Sequence, residues 1–155
     1  MSRQPNVLIV PVDGSEGASE AARYAVGLAE GLGAPVRLVY AFPKDPVDMF
    51  GIPTEAPGPE ALEYFAPEAF DRLRDQSAEK AFAATREAIG GTAIEIQEQI
   101  IAGSPAEAIV EHAAREDDPM IVIGRRGLNG FKEFLLGSVS QRVLHHAGCP
   151  VTVVR

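Results

Sequence analysis

The stretch Gly124-Arg125-Arg126-Gly127-Leu128-Asn129-Gly130, followed by Gly137-Ser138-Val139-Ser140, brings together residue types that can hold a phosphate. Glycine tolerates φ > 0 and lets an oxyanion approach the main chain without meeting a Cβ. A helix opening at Gly137-Ser138 presents unpaired backbone N–H groups, and there the amides and the helix dipole stabilise an anion. The Ser138 hydroxyl can donate to a phosphate oxygen or ligate a metal. Ser138 and Ser140 are also hydroxyls that could accept a phosphoryl group. Between positions 124 and 142, four basic residues (Arg125, Arg126, Lys132, Arg142) face one acidic residue, Glu133, a local net of +3 in a chain whose formal charge is -8. A positive rim on an acidic protein suits an anionic ligand. The plainer reading, that these arginines are solvated surface, stays open beside it.

A second group stands near the N-terminus: Pro11-Val12-Asp13-Gly14-Ser15, where an apolar run turns into a helical pattern. Asp13 can cap that helix, or it can face a ligand and accept from a ribose hydroxyl or hold a cation. Other chemistry is excluded by what the chain lacks. No G-x-x-x-x-G-K-[ST] is present, so a P-loop NTPase is ruled out, and G-x-G-x-x-G is missing as well. Nothing matches G-x-S-x-G. His145 and His146 are adjacent, so on a helix they point about 100° apart and share a metal poorly. His112 stands alone. Cys149, the one cysteine, reads as a structural thiol beside an apolar strand. No metal site is expected.

Five segments must position these groups as strands: Val7–Val12, Val36–Phe42, Ala93–Ile101, Met120–Ile123 and Val151–Val154. Four are nearly continuous in Val, Ile and Leu, as strands buried on both faces are. The third alternates, with Ile94, Ile96 and Ile100 among Glu95, Gln97, Glu98 and Gln99, and reads as an edge strand. Between them lie helical periods. Ala18, Ala21, Ala25, Leu28 and Leu32 form one stripe, ended at Gly31 and Gly33. Phe70, Leu73, Ser77, Ala81, Ala84 and Ala88 form a second, opened by Pro67 and stopped by Gly90-Gly91. Ser104-Pro105-Ala106-Glu107 is a capping-box sequence before a third. Val139, Val143, Leu144 and Ala147 mark the last. Strands alternating with helices predict a parallel, doubly wound α/β sheet in one domain. The span Pro43–Ala66, with five prolines, reads as an irregular surface loop or, alternatively, a lid.

The bulk properties agree. The chain has 155 residues, 46% hydrophobic and 23% charged, ordinary for one globular domain. Its acidity argues against nucleic acid, whose phosphates must be neutralised by Lys and Arg. No apolar stretch reaches the roughly 20 residues that span a bilayer. With no signal-peptide pattern and a single cysteine, a cytoplasmic location is expected.

Gly124-x2-Gly127-x9-Gly137-Ser138 resembles the ATP-binding signature of the universal stress protein family. The resemblance runs from Val7 to Val154. It takes in Val10-Pro11-Val12-Asp13-Gly14-Ser15, Gly103-Ser104-Pro105 and Cys149-Pro150-Val151. It implies a Rossmann-like, five-stranded parallel sheet of order 3-2-1-4-5 with helices on both faces. It also implies an adenine nucleotide, ATP (or AMP or ADP) with Mg. Carried over onto this sequence, the adenine side falls on Pro11, Val12, Asp13 and Ala41. The phosphate side falls on Gly124, Arg125, Gly127, Gly137, Ser138, Val139 and Ser140. Family members without the glycine signature do not bind ATP, and this chain retains it. Arg125-Arg126 departs from the small or His residues frequent there, which strengthens phosphate attraction or partly fills the site. The resemblance further implies a homodimer through Val151–Val154 and a role in stress signalling with a regulatory protein partner. The alternative is a slow ATPase or a nucleotide-dependent phosphotransferase; for that reading the chain offers Asp13 as its one evident base.

Overall fold

The structure is a computed structural model that describes residues 3–52, 58–125 and 136–155. Gly127, Arg126 and Lys132, singled out by the sequence, lie outside the described residues, as does the middle of the Pro43–Ala66 span. The chain runs β1 (Val7–Pro11), α1 (Glu16–Leu32), β2 (Val36–Phe42), α2 (Pro46–Phe50), α3 (Pro59–Glu63), α4 (Pro67–Ile89), β3 (Ile96–Ala102), α5 (Pro105–Ala114), β4 (Pro119–Gly124), α6 (Ser138–His146) and β5 (Val151–Val154). The five strands pair in parallel in the order β3-β2-β1-β4-β5, as expected.

The continuous apolar runs follow from burial on both faces. On β1, Leu8 and Val10, with Val12 just past its end, pack against α1 and α4, while Val7 and Ile9 pack against α5 and α6. Leu8, Ile9, Leu38 and Ile121 are fully buried. Burying one such side chain stabilises the fold by about 1.5–3 kcal/mol, so the central strands tolerate no polar alternation. β3 is an edge strand, and its Glu98 and Gln99 are exposed. It starts at Ile96 rather than Ala93 and runs one residue past Ile101.

Several local expectations need correction. The Pro43–Ala66 span is not irregular throughout: Asp45, through its side chain, caps the short helix α2, and Pro59 opens α3. A proline in the first turn costs nothing, since that N–H has no helical partner. Ser104 occupies the N-cap of α5 but makes no side-chain capping bond, so the capping box is a sequence pattern without its geometry here. The α4 stripe expected over Phe70, Leu73, Ser77, Ala81, Ala84 and Ala88 holds at Phe70 and Ala81, which are buried; Ala69, Ala78, Phe82 and Thr85 are buried as well, while Leu73, Ser77, Ala84 and Ala88 are half-buried. Ala78, Ala81 and Phe82 are the residues that α4 buries in the core it shares with β1, β2 and α1.

At the α5 face of the sheet, Arg37 of β2 donates to Gln97 of β3 (2.8 Å) and to Glu116, and lies 3.2 Å from His112 Nε2 on α5. His112 is buried. Burial pushes its pKa below the usual value, the Arg37 and Arg115 charges act in the same direction, and Glu116 opposes them. The folded protein therefore takes up a proton here less readily than the unfolded chain. Its contribution to stability is complete above the unfolded histidine pKa of about 6.5 and is lost as pH falls below it. Urea unfolding at pH 7.5 and 5.5 is expected to show wild type losing more stability on acidification than His112→Gln. Equal losses in the two proteins would assign the pH dependence to other groups.

Candidate functional site

The strand order reverses between β1 and β4, which both leave the sheet at their carboxyl ends beside each other. Open α/β sheets bind ligands in the crevice at such a point. Three chain segments converge there: the β1–α1 turn, the end of β2, and the end of β4 with the start of α6.

The β1–α1 turn is built around Asp13. Its Oδ1 accepts from the Ser15 N–H at 2.9 Å, and Ser15, not Asp13, is the N-cap of α1, accepting from Ala18 N–H through its own hydroxyl. The capping reading of Asp13 thus becomes a turn-stabilising one. Gly14 has φ +85°, a conformation that favours glycine. Pro11 and Asp13 are half-buried and Val12 is buried. On β2, Val39 C=O accepts from Val12 N–H at 2.9 Å, and the last β1 pair is Pro11↔Val39. Ala41, two residues further and half-buried, therefore stands past the point where β1 turns away. Sequence reasoning missed Tyr40. Its hydroxyl is pushed up in pKa by burial first, an effect that a Ser77 hydrogen bond opposes and the Asp13 charge reinforces. Tyr40 meets Phe82 of α4 edge-on with ring centroids 6.3 Å apart, and only the tertiary approach of α4 to β2 reveals it.

The end of β4 is fastened on three sides. A Cβ on Gly124 would meet Gly17 O at 2.6 Å and Gly17 C at 2.8 Å, so the first turn of α1 packs directly on this strand end. Arg125 N–H donates to Val154 O of β5 at 2.9 Å, and Arg125 C=O accepts from Gly137 N–H at 2.7 Å. Buried Ser140 donates its hydroxyl to Gly124 O at 2.7 Å, with Arg125 O at 3.4 Å. Helix α6 then starts at Gly137 without a side-chain cap. The first-turn N–H groups of Ser138, Val139 and Ser140 have no partner inside the helix. Ser138 is exposed and Val139 half-buried. The structure thus brings Gly124, Arg125, Gly137, Ser138, Val139 and Ser140 together at one strand end. The Arg125 main chain makes both of the backbone bonds that hold this strand end.

Neighbouring features are of a different kind. A pocket of about 280 Å³ opens one strand over, beyond β2 and β3, lined by Phe42, Lys44, Arg74, Asp75, Ile100 and Ala102. Arg74 is already ion-paired with Asp71 and Asp75. His145 and His146 are both exposed in the last turn of α6. Cys149 is half-buried against the α5–α6 side of the core, and burial pushes its thiol pKa up. Among the described residues, no group of His, Cys, Asp and Glu is arranged to hold a metal, and no helix is long and apolar enough to cross a membrane.

The sequence profile of the universal stress protein family matches residues 6–155. The chain belongs to the universal stress protein family. A universal stress protein from Thermus aquaticus is 36% identical over 149 residues, covering 96% of this chain and 97% of the relative. Among solved structures, universal stress protein UspA from Lactobacillus plantarum superposes with a TM-score of 0.74 at 25% identity, covering 99% of this chain and 100% of that one. The universal stress protein from Archaeoglobus fulgidus in complex with dAMP shares the fold at 22% identity, with a TM-score of 0.57 and full coverage of both chains. Family members of the same fold have also been solved with cAMP (24% identity, TM-score 0.59, covering 99% of this chain and 98% of that one) and, from Arabidopsis thaliana, with AMP (18%, TM-score 0.59, covering 97% of this chain and 91% of that one). This universal stress protein domain thus combines the family's sheet with a complete glycine signature in its sequence.

Proposed function

We propose that this universal stress protein binds an adenine nucleotide, ATP, across the carboxyl ends of β1, β2 and β4, and acts as a cytoplasmic stress-signalling module through a protein partner. The observation that carries this reading is the uncapped start of α6, latched to the end of β4 at the point where strand order reverses. A helix N-terminus in that position favours negative charge through its amides and dipole. The adenine and ribose fall beside Val12, Asp13 and the Ala41 main chain, and the phosphates at Ser138 and Val139. Asp13 and Ser138 carry the oxygen donors that Mg²⁺ accompanying the phosphates would take. Relatives solved with dAMP, cAMP and AMP support the nucleoside monophosphate part of this choice. The glycine signature supports the triphosphate.

Mass spectrometry of nucleotide released from freshly purified, denatured protein tests the ligand's identity. Mg-ATP at about 100 times its Kd is expected to add about 2.7 kcal/mol of stability. That raises Tm by roughly 5–10 °C for a chain of this size. A melting scan unmoved by millimolar ATP, ADP and AMP overturns the proposal.

The same reading includes a homodimer through β5. Val151–Val154 is a half-buried apolar edge strand in the single chain, and an unpaired edge of that kind favours pairing. Val153→Asp is expected to give monomers at micromolar concentration, and a wild type that is already monomeric by light scattering excludes the dimer.

A further inference from the structure

The residue at position 140 carries a hydroxyl that could contact a phosphate or accept one, yet its surroundings give it another task. Ser140 lies on the first turn of α6 and is 3% exposed. Its hydroxyl has one proton, and that proton goes to Gly124 O at 2.7 Å, sixteen residues earlier in the chain. The Arg125 carbonyl, which accepts from Gly137 N–H at 2.7 Å, lies 3.4 Å from the same hydroxyl. Two short bonds thus join the end of β4 to the start of α6, one through a side chain and one through the main chain. They close a loop whose ends are Arg125 and Gly137, however the residues between are arranged.

We infer that Ser140 is a positioning residue: its hydroxyl fixes the distance between the end of β4 and the first-turn amides of α6, and so presets the phosphate cradle without itself contacting the ligand. This rests on the nucleotide reading given above. Gly124 has little room on the α1 side to compensate for a lost bond, because even a Cβ built there would stand 2.6 Å from Gly17 O. Any slack must therefore appear on the α6 side, where the amides of Ser138 and Val139 would meet the phosphates. A preset cradle binds more tightly because less ordering is left to be done on binding.

The test compares wild type, Ser140→Ala and Ser140→Thr, all first shown to be folded by circular dichroism. Hydrogen exchange of the Gly137 amide, read by NMR without nucleotide, and Kd for Mg-ATP by calorimetry are measured well below Tm. Losing one buried hydrogen bond is worth about a fivefold change in an equilibrium constant. Ser140→Ala is expected to speed Gly137 exchange and raise Kd by about fivefold, and Ser140→Thr, which keeps the hydroxyl, is expected to restore both. A purely structural serine would lower Tm in Ser140→Ala while leaving Kd of the folded protein unchanged, and that result overturns the inference. So does a threonine variant no better than alanine. A wild type with no affinity for any adenine nucleotide sinks the nucleotide reading itself and this inference with it; a wild type that binds, with an alanine variant that binds equally well, sinks only the inference.

Discussion

Gly124→Ala is expected to destabilise the protein by about 3 kcal/mol or more, although it adds a single methyl group. The new Cβ would stand 2.6 Å from Gly17 O and 2.8 Å from Gly17 C. Both are main-chain atoms in the first turns of α1, so no side-chain rotamer change relieves the overlap. Either α1 lifts from the sheet or β4 moves against β1 and β5, to which it is paired. Overpacking of this kind typically costs 1–3 kcal/mol when side chains can adjust, so a main-chain clash belongs at or above the upper end. Against a total stability of about 5–15 kcal/mol, that is a substantial part. Chemical denaturation of Gly124→Ala beside wild type checks it. A change below about 1 kcal/mol would mean that α1 yields easily, and that the glycine is present for another reason.

Gly137→Val is expected to do the reverse: keep the fold and lose the nucleotide. Gly137 sits at φ -61° and ψ 157°, ordinary extended backbone that any residue adopts. Its N–H can still donate to Arg125 O. Valine is a poorer N-cap than glycine, a cost of about 1 kcal/mol, which the fold survives. In the proposed cradle, however, the branched side chain would stand at the mouth of the first turn of α6, where a phosphate oxygen must reach the Ser138 and Val139 amides. Kd for Mg-ATP should rise at least about 100-fold, or about 2.7 kcal/mol. Arg125→Ala supplies the contrast: the proposed cradle holds the phosphates through amides, so losing this half-buried side chain is expected to cost only about twofold to fivefold. If calorimetry instead finds that Arg125→Ala abolishes binding and Gly137→Val does not, side chains rather than amides hold the phosphates.

The two glycines look alike in sequence, and the contrast between them marks how far the sequence can be read. Periodicity and punctuation located the strands and helices, because apolar residues buried on both faces of a parallel sheet leave a continuous signal, as in Val7–Val10 and Val36–Phe42. The spacing of Gly124, Gly127, Gly137 and Ser138 identified the family, and with it the strand order. The expectations that failed were local. Helical turns α2 and α3 arise inside a proline-rich span because Asp45 and Pro59 start helices as readily as they interrupt them. On α4, Phe70 and Ala81 are buried as expected, but Ala69, Ala78, Phe82 and Thr85 are buried as well.

By itself, then, the sequence determined the class of fold and the family, and named the residues proposed as the phosphate cradle, since each is written in residue type and spacing along one stretch of chain. Tertiary structure alone decided what those residues do to one another. Gly124 is set against Gly17, Ser140 against Gly124, Arg125 against Val154, and Tyr40 against Phe82 of α4. Each of these pairs joins segments brought together by strand pairing or helix packing. Such contacts depend on ångström-scale distances between distant residues, and no periodicity in a linear chain encodes them.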